Sequence, residues 1–200
     1  MKIVIIDYGL GNLGSVKNTL YKLGISSMIS KSKGDIEKAD ALILPGVGSA
    51  KQGMENLKTQ CLDKVLINEI KKGKPFLGIC LGMQLLFSES EEGNVQCLNV
   101  INGKVKKFDS GLKVPQIGWN SVKQKIKTNL FKNISSRSSF YFVNSYYCSP
   151  DDKSLIIGET EYDVNFCSVL IKDNIVATQF HPEKSGQIGQ QFIKNFIKLI

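Results

Sequence analysis

One stretch constrains this chain more than any other: Lys74-Pro75-Phe76-Leu77-Gly78-Ile79-Cys80-Leu81-Gly82-Met83-Gln84-Leu85-Leu86-Phe87. After a Lys/Gly turn, Phe76–Ile79 is a short apolar run, which predicts a buried strand. From Leu81 the run continues in helix formers, with no Pro or Gly after Gly82, which predicts a helix as far as Phe87. Cys80 stands at the hinge between Gly78 and Gly82. A tight strand-to-helix turn lifts one side chain above the sheet, and small neighbours let backbone and substrate approach it. The first amides of the helix and the positive end of its dipole then face the sulfur and favour thiolate. A small packing cysteine is the competing reading, because free Cys is among the most buried residue types.

The only histidine decides between the two. His181 lies in Val176-Ala177-Thr178-Gln179-Phe180-His181-Pro182-Glu183, after a strand-like run, fixed by Pro182 and followed by a carboxylate. A base at a strand end, with a third group to orient its imidazole, needs this layout. Cys80, His181 and Glu183 are therefore read as nucleophile, base and orienting group.

The first half of the chain alternates strand and helix. Strands are predicted at 2–7, 25–30, 41–44 and 76–79, and helical segments at 14–23, 35–39, 50–57 and 62–72. Such alternation predicts an α/β fold with an open, largely parallel twisted sheet and helices on both faces. Ligands then collect at the carboxyl ends of the strands. Three loops there carry chemistry: Tyr8–Asn12, Pro45–Ser49 and the turn at Cys80. From about Asn94 to Thr178 the chain is β-rich, with strands expected at 104–108, 138–143, 154–160, 166–171 and 175–178. Ile188, Phe192 and Phe196 recur every fourth residue and predict a final helix packed on the sheet. No Pro/Gly/Ser linker or repeat interrupts the 200 residues, which are read as one domain, 1–200.

Composition excludes several classes. The formal charge is +8, but the lysines are dispersed, Arg137 is the only arginine, and no stacking aromatics are interleaved. A solvated lysine-rich surface accounts for this better than a nucleic-acid site. The apolar run at Ile3–Ile6 is too short for a signal peptide or membrane span. Five cysteines, with no C-x-x-C spacing, suggest neither a disulfide framework nor a zinc site, and a cytoplasmic setting is expected. Gly9-Leu10-Gly11-Asn12-Leu13-Gly14 matches the dinucleotide fingerprint, but Lys31-Ser32-Lys33 follows the second strand where an acidic residue would hold a ribose. A tight turn without ligand is the preferred reading.

With these residues in place, the chain resembles the class I glutamine amidotransferases, and more narrowly the family of glutaminase subunits of imidazole glycerol phosphate synthase. The resemblance is carried by Asp7-Tyr8-Gly9 with Gly11-Asn12, Leu44-Pro45-Gly46-Val47-Gly48, Gly78–Gln84 and Pro115-Gln116-Ile117-Gly118-Trp119-Asn120. Tyr141-Phe142-Val143 with Ser145-Tyr146, and Gln179–Ser185, complete it. It implies that Cys80 attacks the side-chain amide of L-glutamine, that His181 passes the proton to the leaving ammonia, and that Glu183 holds the imidazole. Water then cleaves the thioester, without cofactor or metal. Leu81 N–H and the Val47–Gly48 loop would stabilise the oxyanion, and Gln84 would read the substrate. It also implies a heterodimer in which a (β/α)8-barrel cyclase receives ammonia through a channel, with Asn12, Trp119 and Lys184 facing that partner. Two departures, Gly14 where the family usually has arginine and Asn144 where it commonly has histidine, leave open a paralogue serving surface-sugar modification. A stand-alone γ-glutamyl hydrolase and a non-catalytic regulatory subunit are the readings from other classes.

Overall fold

A computed structural model describes residues 1–109 and 111–200. Its first half runs β1 (Ile3–Ile6), α1 (Leu13–Lys22), β2 (Ser27–Ser30), α2 (Lys33–Glu37), β3 (Ala41–Gly46), α3 (Ala50–Thr59), α4 (Leu62–Lys71), β4 (Phe76–Cys80) and α5 (Leu81–Gln84). There follow β5 (Phe87–Ser90), β6 (Val95–Gln96), β7 (Ile101–Lys107), β8 (Gln116–Gln124), β9 (Ser138–Asn144) and β10 (Tyr146–Pro150). The chain ends with β11 (Ile156–Tyr162), β12 (Val164–Lys172), β13 (Ile175–Thr178), a 3-10 turn (Pro182–Lys184) and α6 (Gly186–Ile197).

The strands join in the order β2-β1-β3-β4-β13-β12-β10-β7-β5-β6. From β2 through β13 every pairing is parallel. Beyond it β12, β10 and β7 pair antiparallel, and β11, β8 and β9 branch off β12. The expected α/β sheet is thus present, with its β-rich second half grown onto one edge.

Alternation within the parallel strands builds a core on each face. Val4, Ile6, Leu42, Leu44 and Phe76 pack with Met54 and Leu57 of α3 and Leu66 and Ile70 of α4. Ile3, Ile5, Ile43, Leu77 and Ile79 pack on the other face with Val16 and Leu20 of α1 and with Phe192 and Phe196 of α6. Each such side chain, fully buried, contributes roughly 1.5–3 kcal/mol relative to exposure.

Two polar ties fix where β4 begins and what lies beside it. Lys74 Nζ reaches Glu69 Oε2 at 2.6 Å and the carbonyls of Ile36 and Glu37 at 2.7 and 2.8 Å. A cation there satisfies the carboxylate and the free carbonyl end of α2 together. Asn174, in the β12–β13 turn, donates Nδ2 to the carbonyls of Ile70 and Lys74 at 3.0 and 2.6 Å, pinning β13 against β4.

Two expectations need correction. The helix after Cys80 ends at Gln84 rather than Phe87, and Phe87 opens a strand. Leu85, Leu86 and Phe87 are wholly buried, and their carbonyls accept amides from residues 98–101 instead of continuing a helix. β8 was not foreseen as a strand because its pattern is inverted. Gln116 is 4% exposed, while Ile117 and Trp119 are 62% and 60% exposed.

Candidate active site

Cys80 is the last residue of β4 and takes φ 55°, ψ −108°, a conformation L-residues rarely adopt. The turn is possible because its neighbours lack side chains. A Cβ on Gly82 would lie 1.8 Å from the Leu44 carbonyl oxygen, and one on Gly78 would lie 2.9 Å from the Gly82 carbonyl oxygen. β3, β4 and α5 therefore approach backbone to backbone. Only four residues follow in α5, so the dipole at the sulfur is that of a single turn. Leu81 N–H, as the first amide of that turn, has no acceptor within the helix. The Cys80 thiol points to the Val143 carbonyl at 3.7 Å and receives Gln179 Nε2 at 3.6 Å.

β13 lies parallel beside β4, with Thr178 opposite Ile79, and this register brings His181 to Cys80. The base is held from several sides. His181 N–H donates to the Tyr141 carbonyl at 2.9 Å, and Ser185 Oγ donates to the His181 carbonyl at 2.7 Å. Imidazole Nδ1 lies 2.8 Å from Glu183 Oε1, with the two side chains 2% and 1% exposed. A carboxylate only accepts, so Nδ1 carries the proton and Nε2 is directed to the chemistry. Burial by itself lowers the imidazole pKa, but the Cys80 sulfur and the Glu183 carboxylate outweigh it and hold the pKa at about 10. Nε2 makes no hydrogen bond by distance and angle among the described residues, although the sulfur raises its pKa. Cys80 and His181, the candidate nucleophile and base, are thus side by side but not closed on each other, a geometry common to such pairs without substrate.

In front of the sulfur opens a cleft of about 210 Å³. Val47, Gly48, Leu81 and Gln84 line it, so sequence-predicted substrate residues and nucleophile share one cavity. Gln84 is buried, and its Nε2 donates to the Tyr146 carbonyl at 3.2 Å and to Gln179 Oε1 at 3.1 Å. Glu92 lines the same cleft and was missed from the sequence, where Glu91-Glu92-Gly93 reads only as an acidic turn. Its Oε2 accepts the Ala50 N–H at 2.7 Å, and burial raises its pKa despite that bond. Asn144 also lines the cleft, donating Nδ2 to the Tyr146 carbonyl at 3.0 Å. Gln179 reaches the sulfur through its side-chain amide, a contact that nothing in the sequence shows.

The residues expected to face a partner do not all meet. Trp119 stands edge-on to Tyr141, centroids 6.1 Å apart, and Lys184 Nζ lies 6.0 Å from the same ring. Tyr141 is thus a platform between them, and its carbonyl is the one that holds the His181 amide. Asn12 is exposed and caps α1, accepting the Ser15 N–H at 3.2 Å.

The model of the family "Glutamine amidotransferase class-I" matches residues 4–199. The chain belongs to the class I glutamine amidotransferases. Among its relatives, one from Methanococcus maripaludis named imidazole glycerol phosphate synthase subunit HisH 2 is 49% identical over 199 residues, covering 98% of each chain. One from Dehalococcoides mccartyi named imidazole glycerol phosphate synthase subunit HisH is 45% identical over 198 residues, covering 98% of this chain and 97% of the relative. Among solved structures, one titled glutamine amidotransferase superimposes with a TM-score of 0.78 at 18% identity, covering 98% of this chain and 97% of that one. PurLQS from Thermotoga maritima gives 0.77 at 15% identity, covering 99% and 98%. At such identities the likeness is one of fold.

In this amidotransferase the G-x-G-x-x-G turn has a packing role. A Cβ on Gly11 would lie 3.3 Å from the backbone of Pro45 and Gly46, so the turn rests against the loop that carries Val47 and Gly48. Among the described residues no group of His, Cys, Asp and Glu is arranged to hold a metal, and no helix is long and apolar enough to cross a membrane.

Proposed function

We propose that this chain, as one amidotransferase domain over residues 1–200, is the glutaminase subunit of an imidazole glycerol phosphate synthase. The observation that carries the reading is the β4–β13 pairing, which sets the Cys80 sulfur, on the wall of a small cleft, beside the buried His181–Glu183 pair. The names of the relatives at 45% and 49% identity favour this acceptor over a surface-sugar pathway.

The raised imidazole pKa suits His181 to hold the thiol proton while the sulfur attacks as thiolate. Thiolate attacks the side-chain carbonyl carbon of glutamine, and the carbonyl electron pair moves onto oxygen. Leu81 N–H and the Val47–Gly48 loop receive that oxyanion. Collapse breaks the carbon–nitrogen bond, and His181 gives its proton to the departing ammonia. The now neutral imidazole takes a proton from water as it attacks the thioester, which releases glutamate and restores the pair. Glu92, a carboxylate on the cleft wall, accepts the substrate's α-ammonium, and Gln84 reads its polar end. Glu183 holds Nδ1–H throughout.

The ammonia passes to a cyclase subunit, a (β/α)8 barrel, in a heterodimer. Exposed Trp119 beside Tyr141 offers an aromatic docking platform of the kind enriched at interfaces, with Lys184 at its rim. Five free cysteines suit a reducing cytoplasm.

The test is glutamate release from glutamine by the purified chain, alone and with the cyclase-type subunit of the same organism plus that subunit's nucleotide ligand. A large rise in the mixture, abolished by Cys80→Ala while ammonia-dependent synthesis persists, is expected. A rise only with a sugar-modifying partner moves the chain to that branch, and full activity alone makes it a stand-alone hydrolase.

A further inference from the structure

We propose that Gln179 is a positioning residue for the nucleophile, holding the Cys80 sulfur with its side-chain N–H and taking its own orientation from Gln84 on the cleft wall. The inference rests on Cys80 being the nucleophile.

Gln179 is wholly buried, immediately after β13. Its backbone N–H donates to the Ser168 carbonyl at 2.9 Å, which fixes where the side chain starts. The side-chain amide is engaged at both ends. Nε2 donates to Cys80 Sγ at 3.6 Å, and Oε1 accepts Gln84 Nε2 at 3.1 Å. Gln84 is in turn held by the Tyr146 carbonyl at 3.2 Å. A buried amide with both ends satisfied is rigid, since turning it over would set donor against donor at Gln84.

The sulfur's other polar neighbour makes this amide matter. The Val143 carbonyl at 3.7 Å accepts from the thiol but repels the thiolate. An N–H aimed at the sulfur does the reverse, favouring the thiolate and limiting rotation about Cα–Cβ. Among the described residues, Gln179 Nε2 is the one side-chain donor in hydrogen-bonding geometry with Cys80. Because Gln84 lines the cleft, the chain Gln84–Gln179–Cys80 connects the substrate-reading wall to the attacking atom without passing through His181.

The experiment measures carboxamidomethylation of Cys80 by iodoacetamide against pH in the full chain, without glutamine, by mass spectrometry of the Cys80 peptide. Wild type is compared with Gln179→Leu, Gln179→Glu and Gln84→Leu, and kcat and KM for glutamine are measured with the partner present. Losing one charge-assisted hydrogen bond is expected to slow alkylation of Gln179→Leu about tenfold at neutral pH. Its alkylation profile shifts to higher pH, and kcat falls in parallel while KM stays within about twofold. Gln84→Leu raises KM and also slows alkylation, although Gln84 does not touch the sulfur. A Gln179→Leu profile superimposed on wild type, with unchanged kcat, overturns the proposal. If Gln179→Leu does not fold, Gln179→Glu carries the test. It is of the same size, keeps the acceptor for Gln84 and sets a negative charge against the sulfur, so it must suppress alkylation; a wild-type profile overturns the proposal. Because alkylation needs no glutamine turnover, the two readings fail separately. A wild-type chain that is alkylated in a Gln179-dependent way yet never releases glutamate sinks the glutaminase reading alone.

Discussion

Removing the Cys80 sulfur should lower the pKa of His181. In the folded chain burial lowers the imidazole pKa, whereas the sulfur and Glu183 raise it, and the balance lies at about 10, above the ordinary 6.5. Cys80→Ala deletes one raising partner and leaves Glu183 Oε1 at 2.8 Å from Nδ1. An opposite charge at such range moves a pKa by about 1–3 pH units, so the midpoint should fall by that much, a loss of roughly 1.4–4 kcal/mol of preference for the imidazolium. The assay is a carbon–proton correlation spectrum of the imidazole Cε1 group from pH 5 to 10.5. His181 is the only histidine, so the single peak needs no assignment. Linkage gives a second readout. Because the folded pKa lies above the unfolded value, the stability that His181 contributes is fully present below about pH 6.5 and is lost as pH rises towards 10. Urea midpoints of wild type should decline across that window more than those of the variant. Equal titration midpoints in the two proteins would refute the ion-pair account.

Gly82→Ala puts a methyl 1.8 Å from the Leu44 carbonyl oxygen and should cost more than about 3 kcal/mol, seen as a lowered Tm or an insoluble chain. Lys74→Ala leaves Glu69 with the exposed Lys72 as its one cation among the described residues and should cost about 2–4 kcal/mol in urea denaturation, with an m-value like that of wild type. Trp119→Ala should leave stability within about 0.5 kcal/mol but weaken cyclase association by about 2 kcal/mol or more in calorimetry. An unchanged Kd would remove Trp119 from the interface.

What the sequence discloses follows from whether local pattern or long-range contact sets the structure. The turn at Cys80 is legible because strand, glycines and nucleophile are contiguous, and His181 because it has no rival. The helix predicted to Phe87 overran because nothing local announces that residues 98–101 will claim the carbonyls of Leu85–Phe87. β8 escaped because Ile117 and Trp119 point to solvent while Gln116 is buried, a local rule broken at a candidate docking face. Glu92 and Gln179 were invisible as site residues since each meets a residue distant in sequence, Glu92 the Ala50 amide and Gln179 the Cys80 sulfur.

The place of β13 bears on how the chain is made. It is the central seam of the sheet, yet it follows every other described strand in chain order and is made after them. Until it inserts, β4 has an open edge where the base should be, an edge prone to wrong pairing. A chain made only as far as β12 carries Cys80 without His181, so the candidate site is assembled in one late step, when residues 175–183 close the gap between the parallel and antiparallel halves. Loss of the segment from β13 onward therefore exposes the sheet at its centre rather than its margin.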